Sequence, residues 1–261
     1  MFITRGVKMV QLKTPAEIVK MQKAGRVVAL VFDALSDLIR PGVSTFELDR
    51  KAEQVIRGEG AVPSFLGYGK PPFPGSICVS INQEVVHGIP SHSRLLKEGD
   101  IVSVDVGAEL DGFHGDAART YAVGEVSADV AQLVKVTEEC FWIGFEKAQI
   151  GNRIGDISSA VAQHAESFGY GVVRELTGHG IGRHLHEDPD VPNYGKKGHG
   201  LRITPGLVIA VEPMINLGKK EIEVMDDQWT IVTSDGKQSS HYENTIAITK
   251  DGPIITTKVD M

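Results

Sequence analysis

The stretch IVSVDVGAELDGFHGDAARTYAV, residues 101–123, has the pattern of two β-strands joined by a tight turn. Apolar segments flank Asp111-Gly112, and Asp-Gly is a dipeptide that two-residue hairpin turns favour. With the turn there, position 107 lies opposite 116 and position 105 opposite 118. Asp105 and Asp116 then share one face as diagonal neighbours, so their carboxylates can converge on one cation. The alternative interpretation is that both are solvated acids of an ordinary hairpin.

Helical patterns precede and follow this hairpin. Two capping boxes, at residues 14–17 and 44–47, predict helices that end at Pro41-Gly42 and near Gly60. Helical spacing of apolar residues returns at about residues 129–148 and 156–168. In addition, residues 77–81 are strand-like, and Asp235-Gly236 marks a second candidate hairpin.

A weak internal repeat indicates two similar halves. The segment GDIVSVDV at residues 99–106 has the pattern of GLVIAVEP at 206–213: a glycine, an apolar strand and an acid at one offset. Two halves facing across an approximate two-fold axis would bring Asp105 and Glu212 towards each other. Each half has two helices followed by strands. We therefore predict an α+β fold in a single domain of two pseudo-repeats, residues 14–261, with an N-terminal extension over residues 1–13.

Composition disfavours several classes of function. The chain has 261 residues and a net charge of −7, with a pI of about 5.7, which argues against a general nucleic-acid or DNA binder. Its two cysteines, Cys78 and Cys140, form no disulfide framework or CxxC motif. We see no pattern of a membrane span or of a signal peptide. We therefore expect a cytoplasmic protein in a reducing compartment.

Further histidines and acids stand at positions suited to metal binding. His179 lies in the glycine-rich loop sequence GHGIG, where glycine lets the backbone approach a ligand and adopt positive φ. His186 follows as a second ligand or a hydrogen-bond donor, whereas His184 is expected to face solvent. Glu212 ends an apolar strand, where an unpaired buried carboxylate is unfavourable, and Glu243 precedes another apolar segment. The structural alternatives are a polar loop for the histidines and salt bridges for the acids.

The predicted ligand set is rich in oxygen. Such ligation favours harder divalent ions over a thiolate-type zinc site. Two cations a few Å apart lower the pKa of a shared water and polarise a carbonyl together, which suits hydrolysis of a terminal amide. His87, between a valine pair and a turn, is either a structural histidine or a part of this apparatus.

Taken together, these residues resemble those of the methionine aminopeptidases. The matching motifs cover the chain from about Thr14 to Ile254; in order, they are SICVSIN at 76–82, HGIP at 87–90, DVG at 105–107, HGD at 114–116, GHGIG at 178–182 and EP at 212–213. Because only residues 187–211 separate His186 from Glu212, there is no room for the helical insertion of type II enzymes, and the chain resembles a short type I enzyme. The resemblance implies the duplicated pita-bread fold, also seen in creatinase and prolidases. That fold is a curved, mostly antiparallel sheet with helices on its outer face and a pseudo-two-fold axis.

The resemblance also implies two divalent metal ions (Mn, Fe(II), Co or Zn). Asp105 would chelate one of them, and Asp116 and Glu243 would bridge both. His179 and Glu212 would complete the shell of the other metal. A water or hydroxide bound by the two metals would attack the carbonyl of an N-terminal methionine.

Three residues would have catalytic roles by the same resemblance. Glu212 would shuttle the proton, in addition to binding metal. His186 would hydrogen-bond the carbonyl as charge develops. His87 would contact the scissile amide nitrogen and help to stabilise the tetrahedral intermediate or the leaving amine.

A pocket for the methionine side chain is implied as well. It would be formed by Phe65, Tyr68, Phe73, Cys78 and Trp229, because sulfur–aromatic contacts suit a methionine guest. The alternative for the aromatic residues is an ordinary place in the core. The sequence GYGKPPFPG at residues 67–75 is two residues longer than the usual loop of the family.

The expected function is removal of the initiator methionine from nascent proteins and peptides that have a small second residue. The alternatives are an Xaa-Pro peptidase of the same fold, a metal-free peptide-binding relative and a structural metal site. The expected partner is the N-terminal methionine of nascent polypeptides, with no membrane or DNA partner and a monomeric state. Transient ribosome contact through paired lysines is a further hypothesis; the lysines are Lys196, Lys197, Lys219 and Lys220.

Overall fold

The structure is a computed structural model that describes residues 10–259. Within them the helices are α1 (Pro15–Ser36), α2 (Thr45–Gly58), α3 (Ala128–Lys147) and α4 (Ile154–Ser167). The strands are β1 (Val62–Pro63), β2 (Cys78–Ile81), β3 (Glu84–Val86), β4 (Ile101–Leu110), β5 (Phe113–Ala122), β6 (Gly171–Val172), β7 (Thr177–Gly180), β8 (Glu187–Pro192), β9 (Val208–Val211), β10 (Met214–Asn216), β11 (Ile222–Val224), β12 (Ile231–Thr233), β13 (Ser239–His241), β14 (Asn244–Thr249) and β15 (Gly252–Ile255).

Both predicted capping boxes start a helix. At α1 the Thr14 hydroxyl accepts the amide of Glu17 while the Glu17 carboxylate accepts the amide of Thr14. The same reciprocal pair of bonds joins Ser44 and Glu47 at α2. However, the prediction that the first helix continues to Pro41 is wrong. It ends at Ser36, where the amides of Leu38 and Ile39 both donate to the carbonyl of Leu35 and close the last turn.

The hairpin of β4 and β5 has the predicted register. Gly107 lies opposite Asp116, and Asp105 lies opposite Ala118. The predicted turn at Asp111-Gly112 has positive φ at both residues, as a tight hairpin of this kind requires. The order of apolar and polar residues between 101 and 123 was therefore sufficient to define this element.

The second predicted hairpin, at Asp235-Gly236, is wrong. The two flanking strands belong to different sheets: β12 pairs with β11 and β3, whereas β13 pairs with β10. The hairpin is instead formed by β11 and β12, in which Glu223 lies opposite Val232. The turn at Gly236 carries the chain from one sheet to the next, so an Asp-Gly dipeptide marks a turn without choosing the partner strand.

Two helix pairs pack against two sets of antiparallel strands. In the first half, α1 and α2 share a core with β2, β4 and β5 that includes Val28, Leu48 and Val104. In the second half, α3 and α4 share a core with β9 and β14 that includes Phe141 and Ile209. Every pairing between the strands is antiparallel. The predicted α+β fold of two similar halves with helices on the outside is confirmed.

Lys13, near the start of the described residues, is bound to the second half of the fold by an ion pair and a backbone hydrogen bond. Residues 1–9 of the predicted N-terminal extension lie outside the described residues. Lys13 is buried, its ammonium is 2.5 Å from a carboxylate oxygen of Glu187, and its amide donates to the carbonyl of Gly206. Among residues 10–259, the structure has no helix with the length and apolar character of a membrane span.

Candidate metal centre and substrate pocket

The structure brings every predicted site residue to one cavity. Its volume is about 130 Å³, enough for one side chain but not for a folded segment. It is lined by Phe65, Tyr68, Phe73, Cys78, His87, Asp105, Asp116, His179, Leu185, His186, Glu212, Trp229 and Glu243. Acids and histidines from distant parts of the chain therefore meet beside an apolar pocket.

The first half supplies two acids from its hairpin. Asp105 and Asp116 are on β4 and β5 in the diagonal relation that the register creates. On the other side of β4, β2 places Cys78 directly opposite Asp105. Gly107, which faces Asp116 across the hairpin, has no room for a side chain, because a Cβ atom there would lie 2.7 Å from the ring of Phe65. The pocket wall can thus approach the acidic face closely.

The second half supplies Glu212 and Glu243 from the ends of two paired strands. Glu212 follows β9 and Glu243 precedes β14, and Val211 is paired with Asn244 beside them. The two halves are joined at this point by a reciprocal pair of backbone hydrogen bonds. The amide of Glu243 donates to the carbonyl of Ala118 at 2.9 Å, and the amide of Ala118 donates to the carbonyl of Glu243 at 3.3 Å.

Side chains reinforce this junction. The guanidinium of Arg119 donates to the carbonyl oxygen of Glu243 at 2.5 Å and to the side chain of Asn244 at 2.7 Å. The hydroxyl of Thr245 accepts the amide of Asp116 and donates to its carbonyl. The two acids that were predicted to bridge the metals, Asp116 and Glu243, are therefore held by backbone contacts that leave their carboxylates directed at the cavity.

His179 is in strand β7, between β8 and β9, so the prediction of a glycine-rich loop is wrong here. Nor do the flanking glycines have positive φ. They are needed for space: a Cβ at Gly178 would lie 2.4 Å from the carbonyl of Ala210, and one at Gly180 would lie 2.2 Å from that of Asp188. The Nδ1 atom of His179 is 2.9 Å from the carbonyl oxygen of Gly180. Because a carbonyl only accepts, Nδ1 carries the proton and Nε2 presents its lone pair to the cavity.

The distances between the polar atoms fit cation ligands better than hydrogen bonds. Nε2 of His179 is 3.8 Å from Oδ2 of Asp116 and 3.7 Å from Oε1 of Glu212. These separations are too long for hydrogen bonds, but two ligands roughly 2 Å from the same cation are roughly 3–4 Å apart. Asp116, His179 and Glu243 each offer a ligand atom within 4.8 Å of the others, and so do Glu212, His241 and Glu243.

Within residues 10–259, the four carboxylates have ion-pair contacts only with His179 and His241 and none with a Lys or Arg side chain. Burial raises the pKa of Asp105 and of Glu212 to about 7, and burial together with the neighbouring acids raises those of Asp116 and Glu243 well above the ordinary range. Oδ1 of Asp105, Oδ1 of Asp116 and Oε1 of Glu243 are buried without a hydrogen-bond partner. Such unsatisfied oxygens are costly unless a proton or a cation meets them. The residues therefore fit divalent metal ions.

Two further histidines reach the cavity in different ways. His87 has positive φ and burial lowers its pKa to about 4, so its imidazole is neutral near pH 7. His186 stacks edge-on against His179 with 4.3 Å between ring centroids, and its Nδ1 lies 2.5 Å from the hydroxyl of Tyr68. His184 is exposed and does not line the cavity, as expected.

The apolar end of the cavity is formed by the residues predicted for it. Phe73 packs edge-on against Trp229 at 5.2 Å, and the indole N–H of Trp229 donates to the carbonyl of Pro71. Cys78 is buried and burial raises the pKa of its thiol well above the ordinary range, so it is a small neutral wall residue. The loop of residues 67–75 thus contacts Trp229 through the carbonyl of Pro71 and the ring of Phe73.

Two further residues at or beside the cavity were not predicted. Leu185 is buried between His184 and His186, where its apolar character alone does not distinguish it from core. His241 is 2% exposed and faces Glu212 and Glu243. The signal for His241 was present, because a residue two positions before Glu243 in extended chain projects to the same side.

Comparison with known proteins agrees with this geometry. The model of metallopeptidase family M24 matches residues 19–250, which is most of the chain. The chain belongs to metallopeptidase family M24. A methionine aminopeptidase of Clostridium acetobutylicum is 53% identical over 249 residues, covering 95% of this chain and 99% of the relative. The predicted resemblance to methionine aminopeptidases is therefore confirmed.

Solved structures of M24 relatives separate the two predicted peptidase classes. The crystal structure of a methionine aminopeptidase from Thermotoga maritima has a TM-score of 0.93 and 43% identity, and the match covers 96% of this chain and 100% of that one. An Xaa-Pro dipeptidase from Bacillus anthracis has a TM-score of 0.75 and 26% identity, and the match covers 95% of this chain but 62% of that one. The M24 fold is shared by both, whereas the full-length match is with the methionine aminopeptidase.

Proposed function

We propose that this protein is a metal-dependent aminopeptidase that removes N-terminal methionine from peptides with a small second residue. The observation that carries the proposal is the convergence of four acids and His179 on one end of a cavity whose other end is apolar. Charged ligands at one end and an aromatic wall at the other match a substrate with a reactive terminal amide and an unbranched thioether side chain.

The metal ligands in this proposal come from both halves of the fold and meet where the two halves are joined. Asp105, Asp116, His179, Glu212 and Glu243 would hold the two cations, with His179 and Glu212 among the direct ligands of the second cation. When bound, two divalent cations lower the pKa of a water and polarise the substrate carbonyl. The oxygen-rich set with imidazole is suited to Mn, Fe(II), Co or Zn.

The remaining side chains bind substrate and move protons. His186 donates from Nε2 to the carbonyl oxygen as negative charge develops there. His87, which is neutral near pH 7, contacts the scissile amide nitrogen and stabilises the leaving amine. Glu212 accepts a proton at its carboxylate and passes it towards that nitrogen.

The alternatives explain less of the cavity. A structural metal site would not need His87 and His186 beside it, and a metal-free binding protein would leave four closely spaced carboxylates without a cation. An Xaa-Pro peptidase of this fold is supported by the Bacillus anthracis likeness, but this chain covers 62% of that protein. The aromatic pocket around Trp229 favours a methionine side chain at the first position.

Release of free amino acid by metal-reconstituted protein tests this function. Peptides that begin Met-Gly and Met-Ala should be cleaved, and Met-Leu, Lys-Ala, Leu-Ala and Ala-Pro peptides should be cleaved far more slowly. Chelation should abolish the activity and added Mn, Fe(II), Co or Zn should restore it. Equal kcat/KM for Met-Ala and Met-Leu would remove the small-residue preference, and cleavage of Ala-Pro in place of Met-Ala would favour the Xaa-Pro alternative.

The cellular setting belongs to the same proposal. A monomeric enzyme in the cytoplasm would meet nascent chains as they leave the ribosome. Lys196, Lys197 and Lys219 are exposed and Lys220 is half-buried, so they are available for contact with RNA phosphates. Co-sedimentation with ribosomes at low salt should decrease when all four are replaced by glutamate, and unchanged co-sedimentation would discard this contact.

A further inference from the structure

Strand β13 places a further imidazole, that of His241, beside the proposed metal ligands. His241 is 2% exposed, and its Nε2 is buried without a hydrogen-bond partner. Its backbone is fixed on both sides by one residue: the Thr120 hydroxyl donates to the carbonyl of His241 at 2.9 Å and accepts its amide at 3.0 Å. A buried, unsatisfied nitrogen on a fixed backbone is costly unless something in the cavity meets it.

The surroundings of this nitrogen are acidic. Nε2 of His241 lies 3.6 Å from Oε2 of Glu212 and 3.8 Å from Oε2 of Glu243. Neither distance is a hydrogen bond. Both are the separations of two ligands that share one cation, and they match the 3.7 and 3.8 Å that separate His179 from Glu212 and Asp116.

Glu212 consequently lies between two imidazoles. Its Oε1 faces His179 and its Oε2 faces His241. The two histidines come from different strands, β7 and β13, on either side of the carboxylate. A metal site with one imidazole ligand would need only the contact between Glu212 and His179.

We propose that His241 is a metal ligand in its own right, binding a cation together with Glu212 and Glu243. This inference rests on the proposed metal-dependent function. It adds a second nitrogen ligand to a metal site whose other ligands, apart from His179, are carboxylates. Because imidazole suits Zn, Fe, Ni or Cu, and carboxylate suits Mn or Mg, the second imidazole makes the site more selective for the first group.

Proton NMR of the Co(II)-loaded full chain counts the ligating histidines directly. Each Co(II)-bound imidazole that retains its other ring N–H gives one solvent-exchangeable signal far outside the ordinary proton range. Wild type should show two such signals. His241→Gln and His179→Gln should each show one, at different positions, and the exposed matched control His184→Gln should retain both. A single exchangeable signal in wild type, or two in His241→Gln, overturns the assignment.

A Co(II) titration separates a ligand from a residue that only orients a ligand. Loss of an orienting contact weakens metal affinity by about 10–100-fold and leaves the number of signals unchanged. Loss of a ligand should weaken one of the two binding steps by at least that much and remove a signal. If His241→Gln fails to fold, as judged by circular dichroism of the metal-free protein, the signal count in wild type still decides.

The same samples separate this inference from the proposed function. Two signals without release of methionine from a Met-Ala peptide would overturn the peptidase function and keep His241 as a ligand. Release of methionine with one signal would overturn only the ligand assignment.

Discussion

The hydroxyl oxygen of Tyr68 lies 2.5 Å from Nδ1 of His186, and the two rings are 5.2 Å apart in a tilted arrangement. In the proposed reaction Nε2 of His186 donates to the substrate carbonyl. For a neutral imidazole to donate from Nε2, its Nδ1 must accept, and the Tyr68 hydroxyl is then the donor. Tyr68 is therefore a positioning residue for His186 as well as a wall of the pocket.

Replacing Tyr68 by Phe should lower kcat more than it raises KM. The ring and its packing remain, but the bond that selects the His186 tautomer is lost. A net hydrogen bond contributes about 1 kcal/mol, so we expect a decrease of roughly 3- to 10-fold in kcat. Steady-state kinetics from pH 6 to 9 with a Met-Ala peptide measures this. In the His186→Ala background the same change should have no further effect; a full additional loss there would contradict the coupling.

The histidines should divide into two groups when each is replaced by Ala. His87→Ala and His186→Ala should keep wild-type metal content, because these residues act on substrate, and should lower kcat by about 10²–10⁴-fold. His179→Ala should lose metal and activity together. His184→Ala, at an exposed position outside the cavity, should change neither.

Metal stoichiometry beside kinetics is the decisive comparison for these variants. Elemental analysis after gel filtration gives the metal content, and Met-Ala hydrolysis gives kcat. If His87→Ala loses metal as fully as His179→Ala does, His87 belongs among the ligands and its assigned contact with the amide nitrogen is wrong.

A site residue could be predicted from the sequence when its strand pairing is set by a local turn, and not when the pairing is between distant segments. The β4–β5 hairpin is local, so the turn at Asp111-Gly112 determined that Asp105 and Asp116 share a face. The spacing places His241 on the same side of the chain as Glu243, but whether that side meets the metal ligands depends on the pairing of β13 with β10, in which His241 lies opposite Met214. That pairing is formed across the sheet order β13-β10-β6, and no local turn announces it.

A similar limit applied to the glycines around His179. We predicted that these glycines are needed for backbone flexibility, whereas the structure shows that they are needed for close packing between neighbouring strands. Only the neighbours, such as the carbonyl of Ala210 beside Gly178, distinguish the two explanations. The sequence pattern identified the special positions, and the tertiary contacts supplied the reason.

Gly69 and Gly67 form a matched pair for testing the pocket wall. Both have positive φ, at +76° and +80°, so an alanine is strained at either position. A Cβ at Gly69 would lie 2.5 Å from Cη2 of Trp229, whereas at Gly67 it would meet nothing within 4 Å. Gly69→Ala should therefore displace the indole and raise KM for a Met-Ala peptide.

Gly67→Ala should change stability without a comparable change in KM. Tryptophan fluorescence of the two variants, read beside the kinetics, shows whether Trp229 has moved; Trp142, the second tryptophan, is far along the chain on α3 and is common to both. A KM that rises equally in the two variants would show that loop strain, rather than contact with Trp229, controls the pocket.

Asp105 and Glu212 should contribute stability to the metal-free protein that is lost as pH rises from about 4 to about 7. In the folded state burial raises the pKa of Asp105 and of Glu212 to about 7, from 3.8 and 4.5. The folded state therefore holds protons that the unfolded state releases, and this contribution to stability is present at low pH and is lost as pH rises through the folded pKa. Metal-loaded protein should show the opposite trend, because protons compete with cations for the same oxygens.

The gap in Tm between metal-loaded and metal-free protein should accordingly widen from pH 5 to pH 8. Groups far from the site titrate equally in both samples, so their effects cancel in the gap. Glu212→Gln is the matched variant: it removes one buried acid, so the pH dependence of its metal-free Tm should be shallower than that of wild type. Differential scanning calorimetry at four pH values with excess Mn(II) or with chelator measures both. A gap that stays constant or narrows with rising pH would show that the four carboxylates are not the groups that bind the cations.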